Sequence, residues 1–208
     1  MGLEKVALEG IWQRINCLVP SYDSHGGNST KIYLDDNTIL YDQRRLIRVL
    51  NDLAGIFVVD ISKARKKYSG IVGKKNAVPL PLHQQMVLFP VKMRKPIAKE
   101  DGAWGYIVLE KVSEHFGCPN KQGLTKVHFK SGSGIEVLLA DTSFQLSLEK
   151  ARVVKDAYLR LHLGEGAKQI KEEQPVYVTF AFTGKKQFNR VFGRDRQEAM
   201  ISGLKRWI

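Results

Sequence analysis

The chain has little cysteine and no long apolar run. Cys17 and Cys118 stand far apart in a chain of 208 residues, and two such thiols in a reducing compartment are more often small buried residues than a disulfide. No segment approaches the roughly 18 apolar residues of a membrane-spanning helix, and the charged residues near the N-terminus do not fit a signal peptide. We therefore expect a cytoplasmic protein of one domain, which can bury one substantial core or two small ones without a disulfide or metal.

Motifs of the common enzyme families are also absent. The chain has no G-x-x-x-x-G-K-[ST] phosphate loop, no G-x-G-x-x-G fingerprint, no G-x-S-x-G elbow and no H-E-x-x-H pair. His115, Cys118 and His128 could supply three zinc ligands, but structural zinc usually takes four ligands in paired short spacings. The sequence predicts a protein that is not an enzyme, with no catalytic residues, no metal and no other cofactor.

Two acidic pairs keep one enzymatic alternative open. Asp35-Asp36 and Glu100-Asp101 are adjacent carboxylates, which could hold magnesium against a phosphodiester in a nuclease. Both pairs lie in predicted turns, where acidic residues are favoured for local hydrogen bonding. A metal-dependent nuclease is therefore an alternative, and a turn role is the simpler interpretation.

Positive charge, by contrast, is abundant and concentrated. The chain carries 33 Lys and Arg against 21 Asp and Glu, a net charge of +12. Residues 60–100 and 184–208 hold all of this excess, and the rest of the chain is close to neutral. Clustered cations most often meet a polyanion, because each phosphate that they neutralise releases condensed counterions. Nucleic acid is therefore the leading partner, and an RNA-binding or ribosome-associated protein is an alternative that the charge permits equally well.

Two basic groups within residues 60–100 predict contact with double-stranded DNA. In 63–68, cations stand beside an aromatic ring, so lysines can follow phosphates while Arg65 reaches into a groove and Tyr68 packs or stacks. The composition of 92–97 is similar to that of minor-groove arms, with an arginine for the narrow groove and Met93 or Pro96 as a wedge. The candidate DNA-binding residues are Lys63, Arg65, Lys66, Lys67, Lys74, Lys75, Lys92, Arg94 and Lys95.

Hydrophobic periodicity predicts an α+β fold, with an antiparallel β-sheet formed by a meander plus a C-terminal hairpin and with two or three packed helices. Alternating residues predict strands in 11–20 and 30–41 and a hairpin of 124–130 with 135–139. A short apolar run closed by Pro90 predicts a strand at 86–89, and the next strand is predicted at 104–112, which would form a three-stranded meander with the hairpin. Helical spacing predicts helices over 43–54, ended by Gly55, and over 143–162. Residues 62–81 are predicted to be a basic loop. The C-terminal predictions are strands at 176–182 and 188–192 and a helix at 194–207.

Several motifs between residues 8 and 163 occur in the order that is typical of the competence transcription factor family (ComK), which this region resembles. The motifs are Ser29–Ile32, Ser62–Lys66, Leu88–Pro90, the isolated Trp104, Phe129–Gly132 ahead of Ile135–Leu138, Ser143-Phe144 and Tyr158–Arg160. Each motif is weak alone, and their shared order over about 150 residues is the specific signal. Residues 1–163 are therefore expected to form the DNA-binding region, with 164–208 as a C-terminal hairpin and helix of the same domain.

The resemblance implies a specific function. Members of that family are bacterial activators of DNA-uptake genes, and they bind paired A/T-rich boxes largely through the minor groove as dimers that assemble into tetramers. An adaptor delivers them to a Clp protease. By resemblance, this chain is expected to be a nucleoid-associated transcription activator of competence in a bacterial cytoplasm. Its expected partners are A/T-rich double-stranded DNA, a second copy of itself as a homodimer or dimer of dimers, and a Clp protease adaptor.

Overall fold

Two antiparallel sheets organise the described part of the chain, which in this computed structural model comprises residues 5–73, 76–98, 100–119 and 122–163. The six strands of the larger sheet are β1 (Ile15–Tyr22), β2 (Asn28–Leu34), β3 (Ile39–Asp42), β4 (Leu80–His83), β5 (Met86–Lys92) and β6 (Trp104–Val108). They lie in the order β3-β2-β1-β6-β5-β4. The smaller sheet consists of β7 (Val112–Gly117), β8 (Thr125–Phe129) and β9 (Gly134–Val137).

Three α-helices and the smaller sheet cover the two faces of the larger sheet. They are α1 (Leu46–Ile56), α2 (Ile61–Val72) and α3 (Asp141–Leu163). One face of the larger sheet packs against α1 and α2, where Leu18 and Ile32 meet Leu50 and Leu53 in a buried cluster. The opposite face packs against the smaller sheet and α3 through a second cluster that includes Phe89 and Phe144. The predicted α+β class with antiparallel sheet is confirmed.

The prediction of a basic loop over 62–81 is wrong, because its first half is α2. The Asp60 carboxylate accepts a hydrogen bond of 2.9 Å from the Lys63 backbone N–H and so caps the helix start. Gly73, in the left-handed region at φ 65°, ends it. Ile61 and Tyr68 are buried at helical spacing. This apolar stripe is narrow, and because lysines surround it, the helical spacing of the apolar residues is hard to detect in the sequence.

Two further boundaries differ from the predictions. Gly55 lies inside α1 instead of ending it, and the left-handed position after the helix is occupied by Val58 at φ 56°. Strand β6 belongs to the larger sheet, so the third strand of the predicted meander is β7, which follows a short 3-10 turn at Leu109–Lys111.

Several other secondary-structure predictions within the described part are confirmed. Strands form near the predicted positions in the first half of the chain, the hairpin of β8 and β9 is present, and α3 matches the helix predicted over 143–162. The described residues belong to one compact unit, and no helix among them is long and apolar enough to cross a membrane. The predicted strands and helix of the last 45 residues, 164–208, lie outside the described residues.

Candidate nucleic-acid interface

The lysines of the first basic group lie on the outer surface of α2. Lys63, Lys66 and Lys67 are exposed, and residues three and four apart on a helix share one side. Tyr68 turns inward and is only 4% exposed, where it packs against Val154 of α3. Burial raises the pKa of its hydroxyl. The tyrosine is therefore part of the core, and the lysines form the charged surface of the helix.

Arg65 leaves this lysine surface and turns toward the larger sheet. Its guanidinium donates a hydrogen bond of 2.8 Å to the hydroxyl of Tyr106 on β6. Tyr106 is 7% exposed and pairs directly with Pro90 on β5. The side chain of Arg65 is half-buried and has no carboxylate within ion-pair distance in the described part. Its position is fixed by a neutral partner, so its charge is not neutralised.

An open groove of about 600 Å³, which we call the arginine groove, joins the two basic groups. Its floor is the helix-facing side of the larger sheet, where Pro20, Pro90, Trp104 and Tyr106 lie. One wall comes from the start of α1 and from α2, and the opposite side comes from the loop after β5. The lining includes three arginines, one from each of these elements: Arg45, Arg65 and Arg94.

Trp104 is the exposed aromatic side chain of this groove. It begins β6, is 44% exposed, and has no ring contact with another aromatic side chain of the described part. Its direct partner in the register is Lys92 on β5, and directly paired residues of antiparallel strands share a face. An exposed lysine from the second basic group therefore flanks the ring.

Arg94, by contrast, holds the loop after β5 in place. Its guanidinium donates to the backbone oxygens of Gly102 at 2.6 Å and Ser21 at 2.9 Å, and to the side-chain oxygen of Asn28. It also lies over the ring of Tyr22, at 4.2 Å from the ring centre. These contacts leave its charge at the groove but commit its donors to the protein, and its neighbour Lys95 is exposed.

Asp101 anchors the same loop from the other end. Its carboxylate accepts hydrogen bonds from Asn28 at 2.7 Å, from the Tyr22 hydroxyl at 2.6 Å and from the Ala98 N–H at 3.0 Å. These bonds, with the nearby charge of Arg94, hold the pKa of Asp101 well below its usual range. Since Tyr22 also accepts from the Ile97 N–H at 2.9 Å, the loop is tied to β1 and β2 along most of its length.

Carboxylate partners are distributed unevenly over the described cations. Lys5, Arg14, Arg44, Lys111, Arg152 and Lys155 all form ion pairs. In the same part of the chain, the predicted DNA-binding residues Lys63, Arg65, Lys66, Lys67, Lys92, Arg94 and Lys95 form none, and neither does Arg45. Their charge is therefore free to attract an anion. The predicted residues Lys74 and Lys75 lie outside the described residues.

Sequence reasoning missed Arg45 and Tyr106 as parts of the site. Arg45 is the residue before the first turn of α1 and is exposed at the groove, and its only sequence signal was its place in an arginine-rich stretch. Tyr106 gave no signal, because its role depends on Arg65 reaching it across 41 residues of sequence. Met93, a predicted wedge residue, is buried in the core.

Three of the four acids considered for magnesium, Asp35, Asp36 and Asp101, have partners within the protein. Asp35 forms an ion pair with Lys111 at 3.2 Å, and Asp36 pairs with Arg14. The hydrogen bond from the Thr38 backbone N–H and the charge of Arg14 lower the pKa of Asp36. No group of three metal-ligating side chains occurs within the described ranges.

The residues considered as zinc ligands, His115, Cys118 and His128, each have different surroundings in the fold. His115 contacts Asp141 through Nδ1 and Gln145 through Nε2, both at 2.7 Å, so both of its ring nitrogens face α3. The ring of His128 packs near Phe116, and Cys118 is a half-buried free thiol. Cys17 is also a free thiol and is buried, which raises its pKa.

Comparison with known proteins returned no matching family model, no matching curated protein and no matching solved structure.

Proposed function

We propose that this protein is a DNA-binding transcription activator of bacterial competence genes that grips A/T-rich double-stranded DNA. The observation that carries the proposal is the arginine groove, which contains one arginine of each basic group, Arg65 and Arg94. Among the described residues, the cations of both groups have no carboxylate partner. Cations that are not neutralised within the protein gain most when phosphates replace their counterions. The sequence resemblance to the competence family supplies the class of DNA and the biological role.

The exposed lysines of the two basic groups would bind the phosphates. Lys63, Lys66 and Lys67 project from α2, while Lys92 and Lys95 lie on the side of β5 and its following loop. Two separate sets of exposed cations, one on α2 and one on β5 with its following loop, would suit the two phosphate backbones that border a minor groove. Such contacts set the position and register of the protein, and the width of an A/T-rich minor groove supplies the preference.

A salt-dependence experiment tests this placement. With about six phosphates neutralised, the logarithm of the association constant against the logarithm of salt concentration has a slope near −5. The double variant Lys66→Ala with Lys67→Ala should flatten the slope by about 2. The matched control is Lys126→Ala with Lys130→Ala, which removes two exposed lysines from the hairpin of β8 and β9. An equal effect of both variants would place the DNA elsewhere.

One binding series separates this function from its alternatives. A/T-rich duplex, G/C-rich duplex and structured RNA are compared by fluorescence anisotropy at one salt concentration. We expect the A/T-rich duplex to bind tightest, whereas a preference for RNA would favour the ribosome-associated alternative. Cleavage of plasmid in magnesium that is lost on Asp35→Ala or Asp101→Ala would favour the nuclease.

The assembly state and the control of protein level follow from the same proposal. Paired boxes require two protein copies, so we propose a homodimer or a dimer of dimers on DNA, acting at the nucleoid in the cytoplasm. A Clp protease adaptor is the proposed regulator of its level. Sedimentation with and without a paired-box duplex tests the assembly, and a monomer bound to each box independently would contradict it.

A further inference from the structure

We infer that the arginine groove is a binding pocket for one unpaired nucleotide of a DNA strand, whose base stacks on Trp104 and whose phosphate is held by Arg45 and Arg65. The identity of the ligand as DNA rests on the proposed function. The pocket adds to that function a site for a nucleotide that has left the double helix, which the exposed lysines alone do not provide.

The size of the arginine groove favours a single nucleotide. Its volume of about 600 Å³ lies within the range of small-molecule sites. A double helix is far wider than such a groove, so an intact base pair can pass over the opening but cannot fill it. The floor of prolines and an aromatic ring is apolar enough to favour the face of a base over water.

Trp104 has the properties of a stacking platform. Its ring is 44% exposed at the groove although indole is a large apolar group, and no aromatic neighbour covers it in the described part. The ring is held on a central strand, since β6 lies between β1 and β5. Stacking on an aromatic ring is available to every base and is therefore tolerant of sequence.

The two arginines available for the phosphate lie on one side of the groove. Arg45 has no ion pair or side-chain hydrogen bond to the rest of the described chain. Within the same residues, the side chain of Arg65 makes one hydrogen bond, to Tyr106, which fixes its direction. Glu100 lies on the loop after β5. Its negative charge there disfavours a phosphate, so the phosphate is expected beside α1 and α2.

The test compares three labelled DNAs by anisotropy: a perfect A/T-rich duplex, the same duplex with one bulged thymidine, and the corresponding single strand. Stacking of one base on an aromatic ring makes about a 5- to 150-fold difference in affinity. We therefore expect the bulged duplex to bind that much more tightly than the perfect one. The bulged and single-stranded DNAs should also quench tryptophan emission, and this quenching should be lost in Trp104→Phe.

Three variants assign the preference to the pocket. Trp104→Ala should abolish the preference for the bulged duplex, and Trp104→Phe should keep most of that preference. The control Lys66→Ala with Lys67→Ala should weaken binding of both duplexes equally and leave their ratio unchanged. Circular dichroism verifies folding, and if Trp104→Ala does not fold, Arg45→Gln takes its place and should reduce the ratio.

The outcomes separate this inference from the proposed function. Equal binding of the two duplexes, or a preference that survives Trp104→Ala, overturns the pocket and leaves the duplex function standing. Binding of the single strand alone, dependent on Trp104, retains the pocket and overturns the duplex function. Displacement of the single strand by micromolar thymidine monophosphate would make a free nucleotide the ligand and overturn the assignment to DNA.

Discussion

The guanidinium of Arg65 on α2 donates a hydrogen bond of 2.8 Å to the hydroxyl of Tyr106 on β6. This bond joins the first basic group to the strand that begins with Trp104. The lysine-rich helix α2 and the strand that carries the exposed indole ring of Trp104 are thereby joined. In the sequence, Trp104 lies 36 positions after Tyr68 of that helix.

Replacing Tyr106 with Phe tests the role of this hydrogen bond. The ring keeps its packing, but Arg65 loses its acceptor and can turn into solvent, since it is only half-buried. We expect stability to fall by about 1 kcal/mol and the preference for a bulged duplex to weaken several-fold. Urea unfolding and the anisotropy series measure the two effects. An unchanged preference would show that Arg65 does not need Tyr106 to bind the phosphate.

Replacing Arg44 with Met should destabilise the protein more than any surface change. Arg44 pairs with Asp42 at 2.7 Å and with Asp52 at 2.6 Å, and the Asp42 side chain is fully buried. Burial would raise the pKa of Asp42, but the hydrogen bonds from Arg44 outweigh it and the pKa is lowered. Removing the cation leaves a buried charge without its partner, at a cost of about 3 kcal/mol.

The matched control for Arg44→Met is Asp52→Asn, which removes the charge of the more exposed of the two acids that pair with Arg44. Its cost should stay within about 1 kcal/mol, because exposed ion pairs contribute little. Chemical denaturation of the two variants measures the difference. Equal losses would mean that Asp42 is compensated by the backbone N–H groups of Val6 and Arg44 instead.

In Asp101→Asn, the thermal stability should depend less on pH in the acid range than it does in the wild type. The folded state holds the pKa of Asp101 below its ordinary value of 3.8, so the carboxylate stabilises the fold at pH above that value. The stabilisation is lost as pH falls toward the folded-state pKa. The wild type should therefore melt at a higher temperature than the variant at pH 7, and the gap should narrow below pH 4.

Thermal unfolding between pH 2.5 and 7, set in steps of about half a unit, measures this gap. Asp23→Asn is the control, because Asp23 binds only the backbone of its own turn. A gap that stayed constant across the range would show that the loop after β5 does not depend on the charge of Asp101.

Val58→Gly should stabilise the protein. Val58 is 94% exposed and holds φ 56°, a left-handed conformation that is unfavourable for a β-branched residue. The backbone bonds from Val58 to Gly55 and from Val59 to Ala54 match the helix ending at which glycine is usual. The variant should gain about 1 kcal/mol. Val58→Ala, which keeps a Cβ, should gain less stability. A loss of stability in Val58→Gly would show that the left-handed backbone at Val58 is not strained.

The sequence alone determined most of the local structure and the sites where charge would collect. Alternation predicted the strands around β1, β2 and β8, the apolar run of 86–89 predicted β5, and the apolar stripe of α3 predicted its helix, because these patterns are carried by residues close together in sequence. Counting the charged residues along the sequence showed that positive charge is concentrated in 60–100. It did not separate the exposed Lys92 and Lys95 from Arg94, whose donors are used by the loop.

Only the tertiary structure decided which of these residues form a site. The helix α2 depends on Ile61 and Tyr68 reaching partners on the sheet and on α3, and the sequence in between does not specify those partners. Strand β6 joins the larger sheet because its buried residues pair with the preceding strand β5 and also with β1, which is far from it in sequence. Arg45, Arg65 and Trp104 meet through these long-range contacts, and since side-chain burial and pairing across a fold are non-local, the arginine groove could not be predicted from the chain alone.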